Sequence, residues 1–128
     1  MLFRKKQKLS ADRNLLGKWG QKQTKKFLKK KGYKTLAENF SCKTGEIDLI
    51  MADSSGTVVF VEVKTRTNED FADAEAAVTA AKKQRLLRTA KFFTKKHKLE
   101  NLPLRFDVVI IIANQKNKPQ IKHYENAF

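Results

Sequence analysis

The stretch TGEIDLIMADSSGTVVFVEVKTR, residues 44–66, decides the fold of this chain. Two runs rich in apolar residues flank Ser54-Ser55-Gly56, a loop with glycine where a hairpin commonly needs a left-handed residue. The stretch therefore predicts two antiparallel strands. Charged residues interrupt both strands, because Asp48 lies in the first run and Glu62 and Lys64 lie in the second.

The length of the loop determines which residues face each other across the hairpin. A three-residue loop gives four cross-strand pairs: Asp53 with Thr57, Ile50 with Phe60, Asp48 with Glu62, and Glu46 with Lys64. Because side chains alternate along a strand, Glu46, Asp48 and Ile50 are expected to share one face. Directly opposed β-carbons lie about 5 Å apart, so the carboxylates of Asp48 and Glu62 would repel each other. A divalent cation that prefers oxygen ligands, Mg²⁺ or Mn²⁺, would offset this repulsion.

Two other interpretations of these charges stay open. A loop that differs in length by one residue would turn the charges to opposite faces of the sheet. Glu46 and Lys64 can also be a simple cross-strand ion pair at a solvated strand end.

The size and composition of the chain predict one globular domain over residues 1–128, with residues 1–9 as a flexible basic tail. The sequence is 41% apolar and 32% charged, which is typical of a folded protein. No apolar run is long enough to span a membrane, and the N-terminus lacks the apolar core of a secretory signal. A single cysteine, Cys42, fits a reducing compartment and is expected to be a buried, small apolar residue. We therefore expect a cytoplasmic protein with no membrane partner.

The net charge of +15 is unevenly distributed along the chain. Residues 1–34 contain thirteen lysines and arginines against one acid, and residues 81–98 contain eight against none. Residues 35–75 contain nine acids and three basic residues. Two dense basic segments favour a polyanion, since binding releases the counterions of its phosphates. Nucleic acid is the expected partner; a solvated basic surface and an anionic membrane surface are the alternatives.

The remainder of the chain supplies two helices and three further strands. A helix is predicted over residues 10–31, capped at Gly32, with an inward face of Leu15, Leu16, Trp19, Gln23, Phe27 and Leu28. A second helix is predicted over residues 74–97, with inward positions Val78, Leu86, Leu87, Ala90 and Phe93. Strands are predicted at 33–42, 45–53, 57–66, 103–113 and 119–128, with a turn at 115–118. The order αβββαββ predicts an α/β fold with a mixed central sheet flanked by helices in one layer or two.

Several polar or aromatic positions are interpreted as structural. Asp107 is expected to bond Arg105 or a helix end, although it can also face the charged site from the far side. His97 and His123 lack the spacing of metal ligands and are expected to be surface or hydrogen-bonded structural residues. Trp19 fits the core better than base stacking.

The charged hairpin and its surroundings resemble a known family. Asp48 followed by Glu62-Val63-Lys64 looks like the PD-(D/E)xK signature of the restriction-endonuclease-like nucleases. The segments GEIDLI, VFVEVKTR, AVTAAKKQRLL, LRFDVV and the terminal NAF, together covering about residues 17–128, resemble the YraN family, also called UPF0102. The resemblance implies a restriction-endonuclease-like core, similar to Holliday-junction resolvases, and metal-dependent hydrolysis of phosphodiester bonds.

The resemblance also implies residue roles. Asp48, Glu62 and the Val63 carbonyl would hold Mg²⁺ or Mn²⁺, which would activate a water molecule. Lys64 would orient that water or neutralise developing charge, and Glu46 would position Lys64. Phosphate contacts are expected from Lys82, which matches the family pattern, and from other basic or polar residues: Lys18, Lys22, Lys25, Lys43, Arg66, Gln84 and Arg85. For Lys82, Gln84 and Arg85, a solvated helix face is the alternative.

The sequence departs from the family pattern at two positions. The family usually has a glutamate after G-x-x-G in the first helix, where this chain has Gln21, and an arginine where it has Ser41. Gln21 keeps an oxygen near the site and removes a negative charge. The leading prediction is a nuclease acting on DNA, including branched or single-stranded DNA. The similarity to Holliday-junction resolvases, which work as dimers, implies a homodimer, although no patch in the sequence identifies an interface. The alternatives are a non-catalytic nucleic-acid-binding module with a degenerate metal site, and an accessory protein that binds another protein through its basic helices.

Overall fold

The computed structural model describes residues 13–67, 78–113 and 118–128. Within these ranges the elements follow the predicted order: α1 Arg13–Lys30, β1 Lys34–Cys42, β2 Gly45–Ala52, β3 Val58–Arg66, α2 Ala80–Lys96, β4 Leu104–Ile112 and β5 Gln120–Tyr124. The predicted basic tail at 1–9, the first residues of each predicted helix (10–12 and 74–77) and most of the turn at 115–118 lie outside the described residues.

The strands form one sheet in the order β1-β2-β3-β4-β5. Neighbouring strands are antiparallel except β3 and β4, which are parallel. A parallel pair needs a long crossover connection, and the segment that contains α2 supplies it. This mixed sheet with two helices is compatible with a restriction-endonuclease-like fold, which confirms the predicted fold class.

The two helices pack on opposite faces of the sheet. On the α1 face, Leu28 and Tyr33 contact buried strand residues that include Leu49, Val61 and Val109. On the α2 face, the buried contacts are made by Leu86, Ala90, Phe93, Ile47, Ile50, Val58, Phe60 and Phe106. Side chains that alternate along β3 therefore serve both cores, which explains why this strand is apolar at successive positions. No helix among the described residues is long and apolar enough to cross a membrane.

α1 approaches the sheet through small residues rather than through its leucines alone. The fully buried positions are Gly20, Thr24 and Leu28, one turn apart. A β-carbon at Gly20 would lie 2.0 Å from Oγ1 of Thr65, so only glycine permits this approach to β3. Leu15, predicted to point inward, is 38% exposed, because the burial stripe runs through Gly20 and Thr24 instead. Trp19 is half-buried.

α2 begins later than predicted. Thr79 is its N-cap, and the Thr79 side chain accepts a hydrogen bond of 3.3 Å from the backbone nitrogen of Lys82. Val78 therefore precedes the helix, although it does pack against the sheet. Leu87 is 38% exposed, which makes its predicted inward position wrong. Thr89 and Thr94 are buried in addition to Leu86, Ala90 and Phe93.

The predicted helix end at Gly32 and the predicted hairpin loop are confirmed. Gly32 ends α1 with φ of +94°, where the backbone nitrogen of Tyr33 donates to the carbonyl of Leu28. Gly56 closes the hairpin with φ of +90°, and the backbone nitrogen of Asp53 donates to the carbonyl of Thr57. Ile50 pairs with Phe60, as the loop length predicted.

A buried polar cluster joins β4, β5 and the end of α1. Asp107 is fully buried and accepts hydrogen bonds from Arg105, from His123 at 2.7 Å and from the backbone nitrogen of Asn126. These bonds hold the pKa of Asp107 below its ordinary value, although burial alone would raise it. Asp107 is therefore a structural acid and His123 a hydrogen-bonded structural histidine, whereas His97 is exposed. Cys42, expected to be buried, is half-exposed and contacts the Thr44 hydroxyl.

Candidate nuclease-like site

Counted outward from the hairpin loop, the backbone pairing of β2 with β3 stops at Leu49, so Asp48 is the first unpaired residue of β2. The last pair is Leu49 with Val61. The Asp48 carboxylate instead accepts a hydrogen bond of 2.8 Å from the backbone nitrogen of Val63. The predicted pairings of Asp48 with Glu62 and of Glu46 with Lys64 are therefore not part of the β-ladder. The two strands separate at the charged residues, because the Asp48 carboxylate replaces a backbone carbonyl of β2 as the acceptor for the Val63 N–H.

The alternation of side chains along β2 also breaks at Asp48. Ile47 and Ile50 both pack on the α2 face, although they are three residues apart, and Leu49 packs on the α1 face. The opposing residue on β1 is Asn39, which has φ of +51°. Asparagine tolerates this left-handed conformation better than most residues. The prediction that Glu46, Asp48 and Ile50 share one face by strict alternation is thus wrong, and Asp48 lies at the boundary between the two faces.

Glu62 is held by two ammonium groups. Its Oε1 atom lies 3.2 Å from Nζ of Lys82 and 3.5 Å from Nζ of Lys64. The side chain of Glu62 is only 10% exposed, so both contacts are largely shielded from water. Lys64 therefore pairs with Glu62 on its own strand. Among the described residues it forms no ion pair with Glu46, which is exposed, contrary to the prediction.

Asp48 is a half-buried carboxylate that forms no ion pair among the described residues. Burial and the nearby charge of Glu62 raise its pKa to about 6, against the opposing effect of the Val63 hydrogen bond. Within ion-pair distance of Asp48, the described part of the chain places no lysine or arginine. Burial, together with the neighbouring Lys82, lowers the pKa of Lys64. The two carboxylates and Lys64 therefore form one electrostatically strained group.

Two clefts meet at this group. The larger, of about 1020 Å³, lies between α1 and the separated strand ends and is lined by Asn14, Leu16, Gly17, Lys18, Gln21, Asn39, Glu46, Asp48 and residues 63–67. The smaller, of about 210 Å³, lies beside α2 and is lined by Gly45, Glu46, Asp48, Glu62, Lys82, Arg85 and Leu86. Asp48 and Glu46 line both clefts, so Asp48 is accessible from either side of the sheet.

The structure brings most of the predicted site residues together. The larger cleft holds Gln21, Glu46, Asp48, Val63, Lys64, Lys18 and Arg66, and the smaller adds Glu62, Lys82 and Arg85. Four predicted nucleic-acid contacts lie outside the lining of both clefts: Lys22, Lys25, Lys43 and Gln84. Lys25 instead forms an ion pair of 2.9 Å with Glu38 on β1. Asn39 was missed, since its left-handed backbone is visible only in the folded chain.

The oxygen atoms at the site suit a hard cation. The described residues contain no group of three or more histidine, cysteine, aspartate or glutamate side chains that could hold a metal ion. Mg²⁺ needs fewer, since it keeps several water ligands and binds proteins through one or two carboxylates. Because N–H and C=O of one strand residue point to the same neighbouring strand, the Val63 carbonyl is directed toward β2, as its N–H is. Asp48, Glu62 and this carbonyl therefore fit Mg²⁺ or Mn²⁺.

The fold and this site define an α/β protein of restriction-endonuclease-like architecture with a charged, separated hairpin at its centre. The family model described as "Uncharacterised protein family UPF0102" matches residues 20–111. The chain belongs to this family.

The similarity to individual relatives covers most of the chain. A UPF0102 protein of Caldicellulosiruptor saccharolyticus is 44% identical over 114 residues, which cover 88% of this chain and 96% of the relative. A UPF0102 protein of Geotalea uraniireducens is 40% identical over 118 residues, covering 92% of each chain. The UPF0102 protein NE0719 of Nitrosomonas europaea is 44% identical over 102 residues, covering 80% of this chain and 83% of the relative.

Proposed function

We propose that this protein is a metal-dependent nuclease that hydrolyses phosphodiester bonds in DNA, including branched or single-stranded DNA. The observation that carries the proposal is the Asp48 carboxylate, which is half-buried, lacks an ion-pair partner among the described residues and has a pKa raised to about 6. A bound cation would remove the repulsion between Asp48 and Glu62. A partly buried carboxylate with a strongly shifted pKa in a cleft is typical of a functional site.

Each residue of the site has a distinct role in this proposal. Asp48 and Glu62 would hold the cation through carboxylate oxygens, and the Val63 carbonyl would be a further ligand. When bound, the cation would activate a water molecule and neutralise charge on the phosphate. Lys64, whose pKa is lowered by burial, positions the attacking water or donates to the phosphate oxygen that gains charge.

The larger cleft provides the path for the substrate backbone. Lys18 on α1 and Arg66 at the end of β3 line it together with Lys64 and Gln21. Their positive charges suit a chain of phosphates, and the net charge of +15 favours a polyanion at long range. The pairing of Lys25 with Glu38 leaves Lys18 as the better-placed phosphate contact on α1.

A cleavage assay tests the proposal. Single-stranded, duplex and four-way-junction DNA are incubated with the purified chain in Mg²⁺, Mn²⁺ or chelator. We expect metal-dependent cleavage of at least one substrate and a loss of at least about 10²-fold in Asp48→Asn and Lys64→Ala. Lys34→Ala is the matched control, because Lys34 is exposed and pairs with Ala52 at the opposite end of β2. Cleavage that persists in Asp48→Asn would assign the activity to a contaminant.

A second function is favoured by a specific contact. Glu62 is already neutralised by Lys64 and Lys82, and Gln21 supplies an amide where the family pattern has a carboxylate. A protein that keeps this arrangement would bind nucleic acid without cutting it. In that case DNA affinity would fall steeply with salt, yet would be equal in wild type, in Asp48→Asn and in chelator.

A further inference from the structure

We propose that Lys82 is a built-in counterion of the candidate metal site, which a divalent cation must displace from Glu62 and which then becomes available to a substrate phosphate. The inference rests on the proposed nuclease function and adds a reciprocal coupling between cation binding and phosphate binding. It concerns a residue of α2, outside the Asp48 and Glu-x-Lys residues of the hairpin.

The geometry distinguishes Lys82 from Lys64. Lys82 approaches Glu62 from another element and lies closer, at 3.2 Å against 3.5 Å for Lys64. The Lys82 side chain is 29% exposed, compared with 13% for Lys64, and it lines the smaller cleft beside Arg85. The Lys82 ammonium group can therefore turn toward solvent more readily than that of Lys64, whose side chain is less exposed. Of the two ammonium groups beside Glu62, that of Lys82 is the one that a cation can displace.

The charges at the site explain why displacement is coupled to binding. In the described structure Glu62 has two ammonium groups within ion-pair distance and Asp48 has none, so a cation that binds both carboxylates gains most from Asp48. The same cation repels the ammonium group of Lys82 from Glu62. A phosphate that arrives in the cleft offers Lys82 a replacement anion. The first binding event therefore makes the second more favourable, and the coupling is equal in both directions.

Lys83 provides a matched control. It is adjacent to Lys82 on α2 and is also half-buried, but its Nζ atom lies 5.5 Å from the centre of the Phe128 ring, away from Glu62. Removal of either charge changes the net charge of the protein equally. Only Lys82→Met should change the site itself.

The test is calorimetric titration of Mn²⁺ into the full-length wild type, Lys82→Met, Lys83→Met and Asp48→Asn, without nucleic acid. We expect Lys82→Met to bind Mn²⁺ about three- to tenfold more tightly than wild type and Lys83→Met to match wild type, because an ion pair with Glu62 is lost only in the former. Wild-type binding with unchanged or weaker affinity in Lys82→Met would overturn the inference and leave the nuclease proposal standing. No Mn²⁺ binding in any variant would overturn both.

A second readout follows Lys82 directly. The rate at which an amine-reactive reagent labels each lysine is measured by mass spectrometry with and without Mn²⁺. We expect Mn²⁺ to increase labelling of Lys82 severalfold and to leave Lys83 unchanged. Equal labelling of Lys82 at saturating Mn²⁺ would show that the ion pair with Glu62 persists and would overturn the inference.

Discussion

The Asp48 carboxylate lies 2.8 Å from the backbone nitrogen of Val63 and takes the place of a backbone carbonyl between β2 and β3. Had the antiparallel pairing continued, the carbonyl of Ile47 would have been the partner of Val63. The side chain thus ends the ladder, separates the strands and directs the carbonyl of Val63 toward the same space. One hydrogen bond fixes three of the features on which the candidate site depends.

Asp48→Asn should stabilise the metal-free protein at neutral pH. The amide keeps an oxygen for the Val63 N–H and removes the repulsion from Glu62 that raises the pKa of Asp48 to about 6. We expect a gain of about 1–2 kcal/mol after allowance for partial exposure, measured by thermal or urea unfolding in chelator. Asp53→Asn is a control with the opposite expected sign and should destabilise the protein, because hydrogen bonds from Ser55 and the nearby Arg105 lower the pKa of Asp53. Destabilisation by Asp48→Asn would contradict the assignment of strain to this carboxylate.

The stability of the metal-free protein should fall as pH rises from about 4 to above 6. Asp48 has a higher pKa in the folded state than in the unfolded state, so the folded chain binds more protons in this window. The stabilising proton is fully present below the unfolded value of 3.8 and is lost as pH passes the folded value of about 6. Urea unfolding at several pH values in chelator checks this slope, which Asp48→Asn should remove.

Asp107→Ala should be strongly destabilising, at about 3–5 kcal/mol, because it leaves Arg105 and His123 partly buried without their shared anion. The lowered pKa of Asp107 means that its contribution to stability is present above the unfolded value of 3.8 and is lost as pH falls through the folded value.

Glu38→Ala, which removes the exposed partner of Lys25, is the control for Asp107→Ala and should cost less than about 1 kcal/mol. Equal costs for the two substitutions would contradict the structural role of the buried cluster.

Gly20→Ala and Gly17→Ala should have opposite effects on stability. A methyl group at Gly20 would meet Thr65 and should destabilise the protein by about 1–3 kcal/mol, whereas none of the described residues comes within 4 Å of a β-carbon at Gly17 apart from its own helix turn. Gly17→Ala should stabilise α1 by about 0.5–1 kcal/mol, since glycine is costly inside a helix. Parallel urea unfolding of both variants is the measurement. A stable Gly20→Ala would show that α1 does not lie against β3 as closely as described.

Gln21→Glu should tighten divalent-cation binding. Gln21 lines the larger cleft with Asp48, so a carboxylate there would add negative charge on the same side of the site. We expect roughly a tenfold or larger gain in Mn²⁺ affinity by calorimetry. Gln23→Glu is the control, because Gln23 lies on the same helix outside the cleft lining. An equal gain in both variants would indicate a general charge effect rather than a ligand.

The sequence predicted those parts of the molecule that depend on local patterns. The loop Ser54-Ser55-Gly56 set the pairing of Ile50 with Phe60, and the apolar runs gave every strand to within a few residues. Leu15 and Leu87 were misplaced because helical periodicity cannot tell a leucine at the margin of an apolar face from one at its centre.

The remaining details of the site depend on tertiary contacts. Strict alternation failed at Asp48 because Asn39 on β1 adopts a left-handed conformation and the Val63 N–H donates to the Asp48 side chain. The contact between Lys82 and Glu62 joins a helix to a strand twenty residues earlier, and no spacing rule predicts it. Lys82 was expected to contact phosphate, and in the described structure it forms an ion pair with Glu62.

The most direct test of the metal site is the anomalous diffraction of Mn²⁺ from crystals of the full chain grown at neutral pH. We predict one anomalous peak per chain between the carboxylates of Asp48 and Glu62 and near the Val63 carbonyl, with the Lys82 ammonium moved away from Glu62. The same soak of Asp48→Asn crystals should give no peak there. A wild-type map without a peak at this position, with Lys82 still in contact with Glu62, would contradict the proposed metal site.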